Sequence, residues 1–150
     1  MDGFGFLGAG LAVALSGIGA AVGEAMIAVA AFNSILRNPD MRGKFMTYMI
    51  LFIALTESCA IYGLIVAFKI LEVDPANMVN SYMYIAAGLA VGLSGLAVAL
   101  VEGWVAKTSL DNMGKNPELS SSYMVLTILG IALIESCAIY GLIIAFKLIG

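Results

Sequence analysis

The sequence matches itself without a gap at an offset of 78 residues. Residues 57–65 recur letter for letter as residues 135–143, and the triplet 67–69 recurs as 145–147. The weaker first part of the repeat keeps a Ser-Gly pair, a glutamate and an Asn-Pro turn: Ser16-Gly17 with Ser94-Gly95, Glu24 with Glu102, and Asn38-Pro39 with Asn116-Pro117. A repeat of this kind predicts two copies of one structural unit.

Each copy contains two long apolar stretches, one on either side of a short polar turn. They run over residues 4–36 and 45–71 in the first copy, and over 80–113 and 123–149 in the second. Each is longer than the roughly 20 residues that an α-helix needs to cross a bilayer. The chain is 62% hydrophobic and 11% charged, so it has too little polar surface for a soluble domain. Alternating strand patterns are absent from the sequence. We therefore predict an all-α membrane protein with four transmembrane helices in two tandem hairpins.

The repeat also sets the domain boundaries. We predict a first hairpin at residues 1–72, a connector at 73–78 and a second hairpin at 79–150. The turns at 37–44 and 114–118 each hold a proline, which interrupts a helix. The first apolar stretch has no basic leader and is too long for a signal-peptide core, so we expect it to be retained.

Basic residues gather at the two turns and their flanks: Arg37, Arg42, Lys44, Lys107 and Lys115. The opposite ends carry only two bases, Lys69 and Lys147, against three acids, Asp2, Glu72 and Asp74. The positive-inside tendency predicts cytoplasmic turns and external termini, and we expect a prokaryotic cell membrane. These scattered bases form no patch of the kind that binds nucleic acid.

Two pairs of glutamates lie deep in the apolar stretches, Glu24 with Glu57 and Glu102 with Glu135. Glu24 lies 16 residues before Asp40 of the turn, and Glu57 lies 17 residues after it. At about 1.5 Å per residue, both lie roughly 25 Å from the turn. A charged carboxylate at this depth costs several kcal/mol, and no Lys or Arg of the chain lies beside it. The pattern favours ion handling, with a hydrogen-bonded pair of protonated glutamates as the structural alternative.

The side chains next to Glu57 point in different directions. On a helix, Ser58 lies about 100° and Tyr62 about 140° away from Glu57. Each helix therefore presents a carboxylate to one neighbour and two hydroxyls to another. We predict that Tyr62 completes the site of Glu135, and that Tyr140 completes the site of Glu57 in another copy. The alternative, in which Ser58 bonds back to its own helix and Tyr62 only packs, remains open.

Small residues fill the first helix of each hairpin, which allows close backbone contact in lipid. They include Gly8, Gly10, Gly17, Gly19, Gly23, Gly88, Gly92, Gly95 and Gly103. With the bulkier second helices outside, this is the arrangement that a closed ring of hairpins needs. Cys59 and Cys137 occupy matching apolar positions, and we predict packing roles for them rather than a disulfide or a metal thiolate.

These residues resemble the ring-forming proteolipid, or c subunit, of rotary ATP synthases. The resemblance is carried by the Gly-rich first helix, the turn at Arg37-Asn38-Pro39, and Glu57-Ser58 followed by Tyr62. The duplication resembles the V-type and A/V-type version, and the resemblance covers essentially the whole chain twice. It implies a non-catalytic rotor subunit that carries Na⁺ or H⁺ across the membrane and couples ring rotation to ATP synthesis or hydrolysis.

The resemblance also implies an ion-binding set, with Na⁺ preferred and H⁺ alone as the alternative. It contains two ion-carrying carboxylates, two partner glutamates, two hydroxyls, two backbone carbonyls and two orienting tyrosines: Glu57, Glu135, Glu24, Glu102, Ser58, Ser136, Leu55, Leu133, Tyr62 and Tyr140. Many sodium rings have a threonine where Cys59 and Cys137 stand. With two carboxylates and one Na⁺, we expect one glutamate of each pair to stay protonated.

Partners are implied in the same way. They are further copies of the chain in a ring, lipid, a stator subunit that supplies an arginine, and central-stalk subunits at the turns 37–44 and 115–118. The arginine must come from outside because Arg37 and Arg42 both lie in a turn. A proton-coupled small multidrug-type antiporter is the alternative function. It would need an aromatic-walled substrate cavity around the acids and has no need of the 78-residue repeat.

Overall fold

The computed structural model describes residues 4–74, 78 and 80–150. Over this part of the chain there are four long α-helices: α1 Gly5–Arg37, α2 Arg42–Leu71, α3 Ser81–Lys115 and α4 Ser120–Ile149. All four are long and apolar enough to cross a membrane. The prediction of two tandem transmembrane hairpins is confirmed. Asp2 and residues 75–77 of the predicted connector lie outside the described residues.

The turns are shorter than the sequence predicted. A single 3₁₀ turn, Pro39–Met41, separates α1 from α2, and Pro117–Leu119 separates α3 from α4. Helices α2 and α4 therefore begin three residues earlier than expected, so that Arg42 and Lys44 lie in the first turn of α2. The proline ends the preceding helix but has a backbone angle suited to starting the next one.

Helices α1 and α3 pack against each other through their small residues. A Cβ atom on Gly19 would lie 2.6 Å from Leu96 Cα, and one on Gly23 would lie 2.5 Å from the carbonyl oxygen of Ala99. Such distances are shorter than a real Cβ tolerates, so the two backbones touch where glycine stands. The predicted close contact is confirmed for seven of the nine glycines, whereas a Cβ on Gly10 or Gly17 would meet nothing within 4 Å.

The bulkier helices flank this pair, with α2 packed on α1 and α4 packed on α3. Only 17% of the apolar window of α4 is buried within the chain, against 44% for α3. An apolar surface left open on this scale must be covered by lipid or by another chain. At mid-membrane depth the helices are held by a small core of Ala20, Cys59, Val98, Ala99 and Ala138.

Candidate functional site

The Glu135 carboxyl group on α4 is held by side chains of the other hairpin. The Tyr62 hydroxyl donates to Glu135 Oε1 at 2.6 Å, and Ser58 Oγ lies 2.5 Å from the same oxygen. Both hydroxyls belong to α2. The predicted direction of the Ser58–Tyr62 face is confirmed, because these side chains reach a carboxyl group of the second hairpin and not Glu57 on their own helix.

Ser58 also contacts its own helix, since its Oγ lies 2.7 Å from the carbonyl oxygen of Leu55. The predicted contact of Ser58 with a neighbouring carboxyl group and the alternative contact with its own helix are therefore both present. A hydroxyl has one proton and can donate it to only one of these oxygens at a time. The contact brings the Leu55 carbonyl, the Ser58 hydroxyl and the Glu135 carboxyl group to one place.

Glu102 on α3 adds a second carboxyl group from the inner side. The residue is fully buried, and its Oε1 has no hydrogen-bond partner in the described part of the chain. Its Oε2 lies 4.0 Å from the thiol of Cys59. A buried polar atom without a partner is costly, and a proton or a bound cation at this oxygen would remove that cost. The neighbouring carboxyl, hydroxyl and carbonyl oxygens suit a hard cation.

The two cysteines differ in their surroundings. Both are free thiols in this structure, and Cys59 is fully buried whereas Cys137 is exposed on α4, so the predicted packing role is seen within the chain only for Cys59. Cys59 does more than fill space in the core. Its thiol contacts Glu102 and is a weak hydrogen-bond donor to that carboxyl group.

The second glutamate pair lies on the opposite side of α2. The Glu24 and Glu57 carboxyl groups interact across the first hairpin, which agrees with their equal predicted depth. Glu57 is exposed, whereas Glu24 Oε1 is buried and, within the described ranges, lacks a partner.

The remaining predicted residues lie on the open face of α4. Ser136 Oγ donates to the Leu133 carbonyl oxygen at 2.7 Å, repeating the contact of Ser58 with Leu55. Leu133 is 76% and Tyr140 62% exposed. Among residues 4–74, 78 and 80–150, neither Ser136 nor Tyr140 has a hydrogen bond to a carboxyl group. The described part of the chain thus contains one assembled site at Glu135, a Glu24–Glu57 pair that no Ser–Tyr face meets, and a Ser136–Tyr140 face that meets no glutamate.

One polar residue at this depth was missed. Thr56 is fully buried, and its Oγ1 has no hydrogen-bond partner among the described residues. Its neighbours in the sequence do not distinguish it from a packing residue. Comparison of the two copies of the repeat could have identified it, because the matching residue in the second hairpin is the apolar Ile134.

An aromatic-lined groove of about 370 Å³ lies elsewhere, on the outer face of α3 and α4. Trp104, Val105, Ser109, Tyr123 and Thr127 are among the residues that line it. It contains none of the four deep glutamates. A carboxylate-centred drug cavity, as the antiporter alternative requires, is therefore not formed by this groove.

The sequence matches the family of the ATP synthase C subunit twice, over residues 7–70 and 85–148. It is 35% identical over 145 residues to the K subunit of the A-type ATP synthase of Methanocaldococcus jannaschii, covering 97% of this chain and 61% of that relative. It is 34% identical over 147 residues to the 16 kDa proteolipid c subunit of the V-type proton ATPase of Rattus norvegicus, covering 97% and 90% of the two chains.

A single-hairpin relative matches about half of the chain. The ATP synthase c subunit of Chloroflexus aurantiacus is 43% identical over 70 residues, which is 47% of this chain and 92% of that one. Together with the glutamates, hydroxyls and glycine contacts repeated in two hairpins, these matches show that the chain belongs to the ATP synthase C-subunit family, as a duplicated c/K-type proteolipid of rotary ATPases.

Proposed function

We propose that the chain is a rotor-ring subunit that carries Na⁺ by reversible binding at its glutamate pairs. The observation that carries this proposal is the contact of Tyr62 and Ser58 in one hairpin with Glu135 in the other. Protein oxygens from two hairpins converge on one deep carboxyl group, where a bound cation would leave the site neutral enough to face lipid. The subunit is itself non-catalytic, and rotation of the ring couples ion movement to ATP synthesis or hydrolysis elsewhere in the complex.

The choice of Na⁺ over H⁺ rests on the donor set. Proton carriage needs only a carboxyl group, whereas Na⁺ needs several oxygens around a small space. Glu102, Glu135, the Ser58 hydroxyl and the Leu55 carbonyl supply such oxygens, and Tyr62 orients the carboxylate. One Na⁺ neutralises one of the two carboxylates, so the other glutamate keeps its proton. H⁺ alone remains the alternative cargo.

Carbodiimide labelling tests the cargo, because the reagent attacks protonated carboxyl groups. Glu57 and Glu135 lie in different tryptic peptides and can be followed separately by mass spectrometry. Na⁺ at millimolar concentration should slow the labelling of both residues in the assembled ring, while K⁺ at equal ionic strength should not. If Na⁺ slows neither residue at any pH, the chain carries protons alone.

A second site forms between copies. The Glu24–Glu57 pair of one chain would meet Leu133, Ser136 and Tyr140 of the next, in the way that Glu135 meets Tyr62 within the chain. Each chain then carries two ions. This proposal is supported by the open Glu57 and the open α4 face, which are the two halves that the single chain leaves unmatched.

The basic residues at the two turns support the proposed orientation, and the family to which the chain belongs suggests the other partners. The turns at 37–44 and 115–118 would face the cytoplasm and contact the central stalk, and an arginine of a stator subunit would release the ion from the passing site. In vesicles of known orientation, an impermeant maleimide tests the topology. It should label Asp40→Cys from the cytoplasmic side and Glu72→Cys from the outside, and the opposite result would reverse the proposed topology.

A further inference from the structure

The two hairpins differ next to their glutamates, although residues 53–55 and 57–65 of α2 recur unchanged in α4. The first hairpin has Gly23 on α1 and Thr56 on α2, and the residues 78 positions later are Val101 and Ile134. The first hairpin therefore has a hydroxyl and a glycine beside its glutamate pair, where the second has two branched apolar side chains.

Thr56 lies inside the first hairpin. It is fully buried, and its methyl carbon is 3.0 Å from the position that a Cβ on Gly23 would take. Its hydroxyl has no partner within the described structure. Three threonines elsewhere in the helices bond back to the carbonyl four residues earlier, at 3.0 Å for Thr47, 2.8 Å for Thr108 and 2.7 Å for Thr127. Thr56 thus carries a buried donor that the helix does not use.

The facing helix α1 carries an unused acceptor next to the residue that Thr56 contacts. Glu24 Oε1 is buried and has no partner in the same described region. Thr56 directly precedes Glu57, and Gly23, which Thr56 touches, directly precedes Glu24. The two atoms therefore come from facing turns of α1 and α2 beside one carboxyl pair. A buried donor and a buried acceptor that both lack partners destabilise an apolar interior. The free-energy cost is smaller when the donor hydroxyl serves the acceptor carboxyl group.

We propose that Thr56 is a positioning residue of the Glu24–Glu57 site, where its hydroxyl donates to the Glu24 carboxyl group through one bound water. The Glu102–Glu135 site lacks this donor because Ile134 stands in its place. The two ion sites of each chain are therefore unequal. Around an assembled ring, a site with the additional donor alternates with one that lacks it. The inference rests on the proposed function only in taking both glutamate pairs as ion sites.

The expected effect follows from the strength of such a bond. Loss of one hydrogen bond to a buried carboxyl group should weaken ion binding about tenfold, which corresponds to about 1.4 kcal/mol. Thr56→Val has nearly the same shape and is compatible with a buried position, so the fold should persist. We expect it to raise the Na⁺ concentration that half-protects Glu57 from carbodiimide about tenfold, and to leave Glu135 unchanged.

Two further variants separate the hydroxyl from packing. Thr56→Ser keeps the hydroxyl and should retain protection of Glu57, although it removes a methyl group. The double variant Val101→Gly with Ile134→Thr gives the second hairpin the residues of the first, and it should lower the half-protecting Na⁺ concentration at Glu135. Circular dichroism and ring size on native gels check that each variant is folded and assembled.

The outcomes distinguish this inference from the proposed function. If Na⁺ protects both glutamates but Thr56→Val changes neither, or changes Glu135 instead of Glu57, the inference is wrong and the proposed function stands. If Na⁺ protects neither glutamate, Na⁺ carriage is wrong. Labelling as a function of pH without Na⁺ then decides the inference, since Thr56→Val must still alter Glu57 alone and Thr56→Ser must restore it.

Discussion

Tyr62 of the first hairpin donates a 2.6 Å hydrogen bond to Glu135 of the second, while Glu57, five residues before Tyr62 on the same helix, pairs with Glu24. The Glu135 carboxyl group and the Ser58 and Tyr62 hydroxyls that contact it therefore belong to different hairpins. The effect of a substitution on α2 should appear at an acid on α4, and this separates the arrangement from a site built within one hairpin.

Tyr62→Phe should disturb Glu135 and leave Glu57 unaffected. Loss of one hydrogen bond to a charged carboxylate is expected to raise the half-protecting Na⁺ concentration at Glu135 about tenfold. Carbodiimide labelling of the two tryptic peptides measures this directly. Tyr140→Phe is the matched control, and in the assembled ring it should affect Glu57 alone. An effect of Tyr62→Phe on Glu57 would contradict the cross-hairpin arrangement.

The contact between α1 and α3 gives a second prediction. Gly19→Ala places a Cβ 2.6 Å from Leu96 Cα and 2.7 Å from its carbonyl oxygen, and a backbone cannot yield as a side chain can. Overpacking of this kind typically costs about 1–3 kcal/mol. We expect a lower melting temperature by circular dichroism in detergent.

Gly43→Ala is the control for that variant. A Cβ on Gly43 would meet nothing within 4 Å, and the residue lies in the exposed first turn of α2. Alanine favours a helix over glycine by about 1 kcal/mol, so this variant should be neutral or slightly more stable. Equal losses of stability in the two variants would show that the α1–α3 backbone contact is not what limits glycine replacement.

The sequence was sufficient for the number of helices and the depth of the acids, because both follow from helical rise and apolar length. It also predicted the direction of Ser58 and Tyr62, since 100° per residue fixes how side chains diverge on one helix. It could not predict the contact between Cys59 and Glu102, because residues on different helices meet only through packing. It also missed Thr56, whose hydroxyl could have satisfied itself locally, as Thr47 does.

The repeat predicts how one copy of the chain meets the next. Leu110 on α3 is fully buried against hairpin one, in a cluster that includes Ile27 and Phe45. The residue 78 positions earlier is Phe32, which is 55% exposed. The counterparts of Ile27 and Phe45, Val105 and Tyr123, line the open groove on α3 and α4. We therefore expect Phe32 of one copy to fill the groove of another.

Phe32→Ala and Leu110→Ala should consequently have different effects. Leu110→Ala leaves a cavity inside the chain and should cost about 2–5 kcal/mol of its stability. Phe32→Ala should leave the melting of the dissociated chain unchanged and lower the temperature at which the ring dissociates in detergent. A Phe32→Ala ring as resistant as the parent would show that the groove is not an interface between copies.

Cysteine reactivity gives the last prediction, because the two thiols occupy matching positions with different exposure. Cys59 is fully buried under the facing hairpin, while Cys137 is exposed on the open face of α4. If the interface between copies repeats the one within the chain, Cys137 becomes buried in the ring as Cys59 already is.

N-ethylmaleimide should modify one thiol in the dissociated chain and none in the ring, as read by intact mass. Cys137→Ser should abolish the single modification. A ring in which Cys137 still reacts as fast as in the dissociated chain would mean that the next copy covers a different face of α4, and Tyr140 would then not reach Glu57.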